Sequence, residues 1–311
     1  MSLTIQLLIK NNEKTLEESI LSILPLKSPI NAIDLGSKDD SLKICRKYGI
    51  ETTTIKEDDY SKIRNEMLGD DWNFYIQPWE VLISGHDAIV KVAAGPLSYY
   101  LDIYQGEIVT REIRLWRNLK FQYPIFETII DKKAQKLAGT VIWSGNPPKR
   151  GDMLDRIEKW RSRSGSIEPY YYEAWAMLQD ERYDSFIAIA THYLSLDSQS
   201  KSAVMLRYYL AQIQAHIQKD MGQATRSILP CIVAKPLMAE FWCFLGDIFY
   251  CRKKYKKAVE FYTNAIILGE KREGDDNWPV EIVKYKDYPE KMIASCNEIT
   301  AGATLYGSQK A

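Results

Sequence analysis

The sequence predicts an α/β domain followed by an all-α array of helical repeats. Three observations carry that reading. Short apolar runs alternate with segments of helical periodicity over the first part of the chain, and after a Pro/Gly-rich junction the helical periodicity continues alone. In this second part, small and large apolar residues recur about 34 residues apart. The chain has 311 residues, enough for two domains of roughly 100–200 residues each, placed at 1–148 and 149–311.

The first domain opens with LTIQLLI (3–9), an apolar strand-like run. Residues 13–24 place Leu16, Ile20, Ile23 and Leu24 at helical spacing, and Pro25 ends that helix. INAIDL (30–35) reads as a second strand closed by Gly36-Ser37, and Ser37 or Asp39 is placed to cap the helix leading to Gly49. The β-branched ETTTI (51–55) reads as a third strand, 60–68 as a short helix and WNFYI (72–76) as a fourth strand. Such a βαβαβαβ order builds a mostly parallel sheet, in which ligands bind beyond the carboxyl ends of the strands. That rule selects Lys10–Asn12, Asp34–Asp39, Glu57–Asp59 and Gln77–Glu80. If TREIRLWR is a strand, Arg111 and Leu115 share one face, and Glu112, Arg114 and Trp116 the other.

The junction is GNPPKRG (145–151), whose prolines stop the preceding strand. Beyond it, FWCFLGDIFYCRKKYKKAVEFYTNAIILG carries Trp242, Leu245, Gly246, Phe249, Ala258 and Tyr262 in the tetratricopeptide pattern, with Ala265 following. One repeat earlier stand Tyr208, Ala211, Ala215, Ala224, Ile228 and Cys231. A looser unit holds Tyr170, Ala174, Met177, Phe186, Ala190 and Tyr193, and 279–300 suits a terminal helix. Three such units suffice for a continuous core. The aromatic run Tyr170–Tyr172 with Trp175 reads as packing.

Composition narrows the functional classes. The chain is 46% hydrophobic and 26% charged, as expected of a protein with a packed core. With 41 basic and 41 acidic residues it shows no overall charge bias toward nucleic acid. No apolar run approaches the ~20 residues of a membrane span. The first residues read as a strand, and the five cysteines lack metal or disulfide spacing, so a cytoplasmic setting is expected.

Five blocks in the first domain, IKNNEKTLEESILSI, IDLGSKDDSLKICRKYGI, DDYSKIRNEML, DWNFYIQPWEVL and TREIRLWRNLKFQYPIFETI, resemble in order and spacing those of family-2 glycosyltransferases, in the subgroup with a tetratricopeptide tail. The resemblance covers residues 3–145 and implies a GT-A fold, a Rossmann-like mixed sheet, and a UDP- or GDP-linked sugar as donor. It also implies donor-nucleotide roles for Lys10, Asn11, Asp34, Gly36, Ser37, Asp39, Arg64, Asn65 and Gln77. A carboxylate such as Asp34 accepts hydrogen bonds from a base or ribose, and an arginine such as Arg64 neutralises phosphate.

The family's metal-binding Asp-x-Asp is missing. Gln77 and Trp79 stand at its two positions, and Phe126 replaces a histidine, so no metal and no cofactor is expected. Glu80 and Glu127 are the candidate general bases, and Lys10, Arg64, Arg111, Arg114 and Arg117 are candidates to replace the ion's charge. The expectation is therefore a metal-independent, inverting transferase acting on a protein or glycan acceptor held by the repeats. The alternative is a non-catalytic domain tethered to a repeat scaffold for protein interaction.

Overall fold

The computed structural model describes residues 2–57, 59–92, 97–123, 129–131, 133–145, 153–272 and 278–307. The chain divides into two compact units. One is Met1–Arg156 with Asp275–Pro279, and the other is Ile157–Gly274 with Val280–Ala311.

The first unit is a mixed sheet with helices. Its strands are β1 (Leu3–Ile9), β2 (Ile30–Asp34), β3 (Thr52–Thr54), β4 (Trp72–Ile76), β5 (Glu80–Ser84), β6 (Ser98–Gln105), β7 (Ile108–Trp116) and β8 (Gln135–Ser144). They lie in the order β3-β2-β1-β4-β7-β6-β8-β5. The first four are parallel, with α1 (Leu16–Ile23), α2 (Ser41–Lys47) and α3 (Tyr60–Glu66) between them in sequence. β7 joins β4 antiparallel and starts the mixed half, which includes the parallel pair β6·β8. α4 (His86–Lys91) follows β5.

The pattern of β1 explains its central place. Ile5, Leu7 and Ile9 enter the main core with Leu16, Ile20, Ile23, Phe74 and Leu115, whereas Leu8 packs on the other face with Ile33, Ile63 and Met67. A strand buried on both faces reads as a continuous apolar run, as LTIQLLI does. Its one long polar residue, Gln6, is fully buried and donates to the carbonyl of Arg64 at 3.2 Å. At the end of the sheet, the backbone N–H of Leu82 on β5 donates to Ser22 Oγ on α1 at 3.1 Å. The alternation read in TREIRLWR holds for Leu115, which enters the main core, and Trp116, which packs with Tyr75 and Phe121 in a separate cluster. A register shift between Ile113 and Leu115 interrupts it, and Ile113 packs in the Trp116 cluster rather than with Leu115.

Two local expectations change. The helix expected over 13–24 begins at Leu16 and ends at Ile23, passing into a 3-10 turn through Pro25. Neither Ser37 nor Asp39 caps α2. Asp40 occupies that position without a side-chain bond, because Asp39 instead accepts from the N–H and the hydroxyl of Ser41.

The second unit is helical. α5 (Met153–Arg163) leads into α6 (Glu168–Gln179), α7 (Tyr183–Leu196), α8 (Lys201–His216), α9 (Met221–Ala234), α10 (Ala239–Cys251), α11 (Tyr255–Gly269) and α12 (Asp287–Gly307). The residues that recur about 34 apart form its interior. Ala174, Phe186, Ala190, Ala211, Ala224, Ile228, Cys231, Ala258, Tyr262 and Ala265 are all fully buried. Gly246 shows why one position must stay small. A Cβ there would meet ring carbons of Tyr262 at 2.6–2.9 Å. That ring is held in place, because Tyr262 donates to Asp247 Oδ1 at 2.7 Å. Gly246→Ala is therefore expected to destabilise the protein by about 1–3 kcal/mol through overpacking. Gly165→Ala, with open space around its Cβ, should stay within about 0.5 kcal/mol. Urea denaturation of the two variants checks the contrast.

Candidate functional site

At the carboxyl ends of β1 and β2 two loops are laced together by side chains. Asn11, at φ 54°, receives a bond from the N–H of Lys38 at 2.8 Å and donates its own N–H to Ser37 Oγ at 3.0 Å. The N–H of Asn12 donates to Ser41 Oγ, and that of Glu13 to Asp39 Oδ2. Burial acts to raise the Asp39 carboxyl, but its bonds from Ser41 and the Glu13 N–H outweigh that and hold it below the usual range. Asp34 is 1% exposed. It accepts from the N–H groups of Gly36 and Ser37 at 3.0 Å and from Thr54 Oγ1 at 3.2 Å. Its carboxylate thus shapes the turn in which Gly36 takes φ 85°, a conformation that favours glycine. Lys10, Asn11, Asp34, Gly36, Ser37 and Asp39 share this rim.

Behind the rim lies a buried charged cluster around Tyr75. Arg64 is fully buried, with its guanidinium 4.6 Å from the Tyr75 ring centre and 5.4 Å from that of Phe121. It donates to Gln77 Oε1 at 3.2 Å. The guanidinium of Arg114 lies 4.0 Å from the Tyr75 ring centre. Arg114 pairs bidentately with Glu80, both bonds being 2.8 Å, and reaches Glu112 at 3.0 Å. The backbone N–H of Gln77 donates to the same Glu80 carboxylate at 2.8 Å. Desolvation opposes the charge on Arg114, but Glu80, Tyr75 and Glu112 raise its pKa above the ordinary arginine value. Burial drives the Tyr75 hydroxyl well above 10, and that hydroxyl donates to Glu112.

These contacts revise the roles open to several residues. Both oxygens of Glu80 are engaged by Arg114, so the geometry makes it an anchor rather than a base waiting for a proton. Asn65 clamps the backbone of Phe121 in both directions, at 2.8 and 3.1 Å. Arg111 pairs with Asp102, which also binds Lys136, and Arg117 lies over Trp72. Glu127 and Phe126 lie outside the described residues. Among the described residues no group of three or more His, Cys, Asp or Glu is placed to hold a metal ion, and no helix is long and apolar enough to cross a membrane. Sequence reasoning missed the Glu80–Arg114 pair, although a single acid in EVLI and a single base in IRLW each interrupt an otherwise apolar stretch.

In the helical unit, Trp175 on α6 and Tyr209 on α8 stand one repeat length apart, and both are half-buried. Tyr170 packs against His192, and Tyr171 against Tyr172 and Tyr193, so the tyrosine run serves packing. On α10, Glu240 accepts the N–H of Glu281 and the hydroxyl of Tyr285, each at 2.9 Å. Asp247 accepts from Tyr262 and, at 2.6 Å, from Tyr288.

No family model matches the chain, and no curated protein matches it. Solved structures do. MamA (residue 41 to the end) from Desulfovibrio magneticus RS-1 is similar at 18% identity and TM-score 0.37, over 51% of this chain and 87% of that one. The Sgt2 TPR domain from Aspergillus fumigatus is similar at 16% identity and TM-score 0.36, over 45% and 83%. The first TPR of Spaghetti (RPAP3), bound to the HSP90 peptide SRMEEVD, is similar at 11% identity and TM-score 0.35, over 43% and 93%. These findings correct the expected membership of the family-2 glycosyltransferases. No family model and no curated protein carries that membership, and what stands for the first unit is a mixed sheet.

The buried pair gives a direct test. Truncating one partner leaves the other charged in a dry site, so Glu80→Ala or Arg114→Ala should each cost about 3–5 kcal/mol. The double variant Glu80→Leu/Arg114→Met should cost clearly less than the sum of the two. Guanidinium denaturation of the three proteins measures this, and additive losses would show that the two residues do not act as a pair.

Proposed function

We propose that this protein is a protein-interaction scaffold whose helical array receives a short segment of a partner chain. The supporting observation is the register of the array: three helix pairs, α6·α7, α8·α9 and α10·α11, with buried small residues one repeat apart and partly exposed aromatics at matching positions of two first helices. Stacked pairs of this kind present successive first helices side by side and form an extended binding surface. Trp175 and Tyr209 supply large contact area at little cost in side-chain entropy, as anchors of an interface do. Panning a random-peptide library against the full chain, then measuring enriched peptides by fluorescence anisotropy, tests the reading. Binding near the micromolar range (about −8 kcal/mol) is expected, with roughly tenfold weakening in Tyr209→Ala. Lack of any enriched peptide, or full binding by both Tyr209→Ala and Trp175→Ala, would reject it.

A second reading attaches to the rim of the first unit. We propose that the rim bearing Lys10, Asn11, Asp34, Gly36, Ser37 and Asp39, backed by Arg64, Asn65 and Gln77 behind it, takes a small anionic ligand. It is supported by the lacing of the two loops, which holds the edge at the strand ends in one conformation. Thermal denaturation with UDP or GDP, with and without manganese, provides the measurement. A saturating ligand at 100 times its dissociation constant adds roughly 2.7 kcal/mol, and unchanged melting with both nucleotides counts against the site.

A further inference from the structure

The connections between helix pairs are short, 197–200 and 235–238, but α11 and α12 are joined by 270–286. Part of this longer connection folds back over the first helices of the second and third pairs. Residues 282–285 form a 3-10 turn. The backbone N–H of Glu281 is bound by Glu240 of α10 at 2.9 Å, and the Glu281 side chain accepts from Tyr208 of α8 at 3.4 Å. Tyr285 donates to the other Glu240 oxygen at 2.9 Å and is approached by Arg272. The carbonyl of Lys284 accepts from Cys243 Sγ at 3.3 Å, and its ammonium lies 3.5 Å from the Tyr288 ring centre.

The chemistry of the clamp is that of peptide capture. A buried carboxylate, Glu240, 2% exposed, takes one backbone N–H and one tyrosine hydroxyl from the segment. A backbone donor at such a carboxylate is engaged whatever the side chain, so another chain that turns as Ile282–Tyr285 does, with a tyrosine four residues after the donor, would meet the same acceptor. Burial pushes the Glu240 carboxyl above its ordinary value, consistent with a group set into a largely dry contact.

We infer that Val280–Lys286 is a built-in occupant of the array, lying across α8 and α10 and competing with a tyrosine-bearing partner peptide for Glu240. This rests on the peptide-binding reading of the array. A tethered occupant acts at high effective concentration. If the surface is open a tenth of the time, external affinity falls about tenfold.

The probe is a fluorescent peptide of sequence VEIVKYKDY, residues 280–288 of this chain, added to the full-length protein. Wild type should bind it about tenfold more weakly than the variants below and resist tryptic cleavage after Lys284. Tyr285→Phe removes one hydroxyl, and Glu240→Gln weakens both bonds. Each variant should bind the probe and be cut after Lys284 at least tenfold faster, with helical circular dichroism retained. Cleavage as slow as in wild type, or an unbound probe in both variants, would overturn the inference. Library peptides that bind wild type and are indifferent to both variants would also overturn it while leaving the peptide-binding reading intact. No library peptide on wild type or on either variant would overturn both.

Discussion

The arrangement of the first unit depends on one buried ion pair. Glu80 and Arg114 sit on β5 and β7, strands that are not neighbours in the sheet, and are 3% and 2% exposed. Taking two charges out of water is costly, and the attraction between them repays that cost only with good geometry and additional hydrogen bonds. Both conditions are met. The pairing is bidentate, the N–H of Gln77 satisfies a further lone pair of Glu80, and Glu112 takes another edge of Arg114. The pair thereby fixes the turn after β4, which in turn places Gln77 beside Arg64. Tyr75 lies against both guanidiniums, so cations, ring and carboxylates have to be placed together.

The helical unit obeys a different rule. Its specificity comes from volume, with small residues where helices approach and large ones where they separate. Gly246 and Tyr262 are the clearest pair, one defining a space and the other filling it. Polar groups enter as fixed points: Asp247 holds two tyrosine hydroxyls, and Glu240 holds a backbone N–H with a third. Stability in such arrays passes from neighbour to neighbour.

This difference decided what could be read from the sequence. Periodicity exposed the repeats, because Ala174, Ala211 and Ala258 are buried for reasons local to helix pairs. It also exposed β1 to β4, whose apolar runs and turn residues are contiguous. The mixed half was less legible. β5 to β8 are joined by long-range pairing, such as parallel β6·β8, that no short window encodes. The rim residues were picked out by position at strand ends, but position does not reveal that Asp34 and Asp39 serve their own loops. Motif order suggested an ancestry that the comparisons do not support. Short acidic and glycine-containing turns recur wherever parallel strands feed helices, so their order says more about local geometry than about descent.

The two ends of the sheet differ in construction. β3 is three residues long, and β5 has its Leu82 N–H already engaged by Ser22 of α1. Exposed strand edges recruit strands from other molecules when they offer a long row of open donors and acceptors. Here one edge is too brief to template such a row and the other is interrupted by a hydroxyl from a helix. The hydroxyl of Ser22 therefore takes up a backbone donor that a strand added at this edge would need.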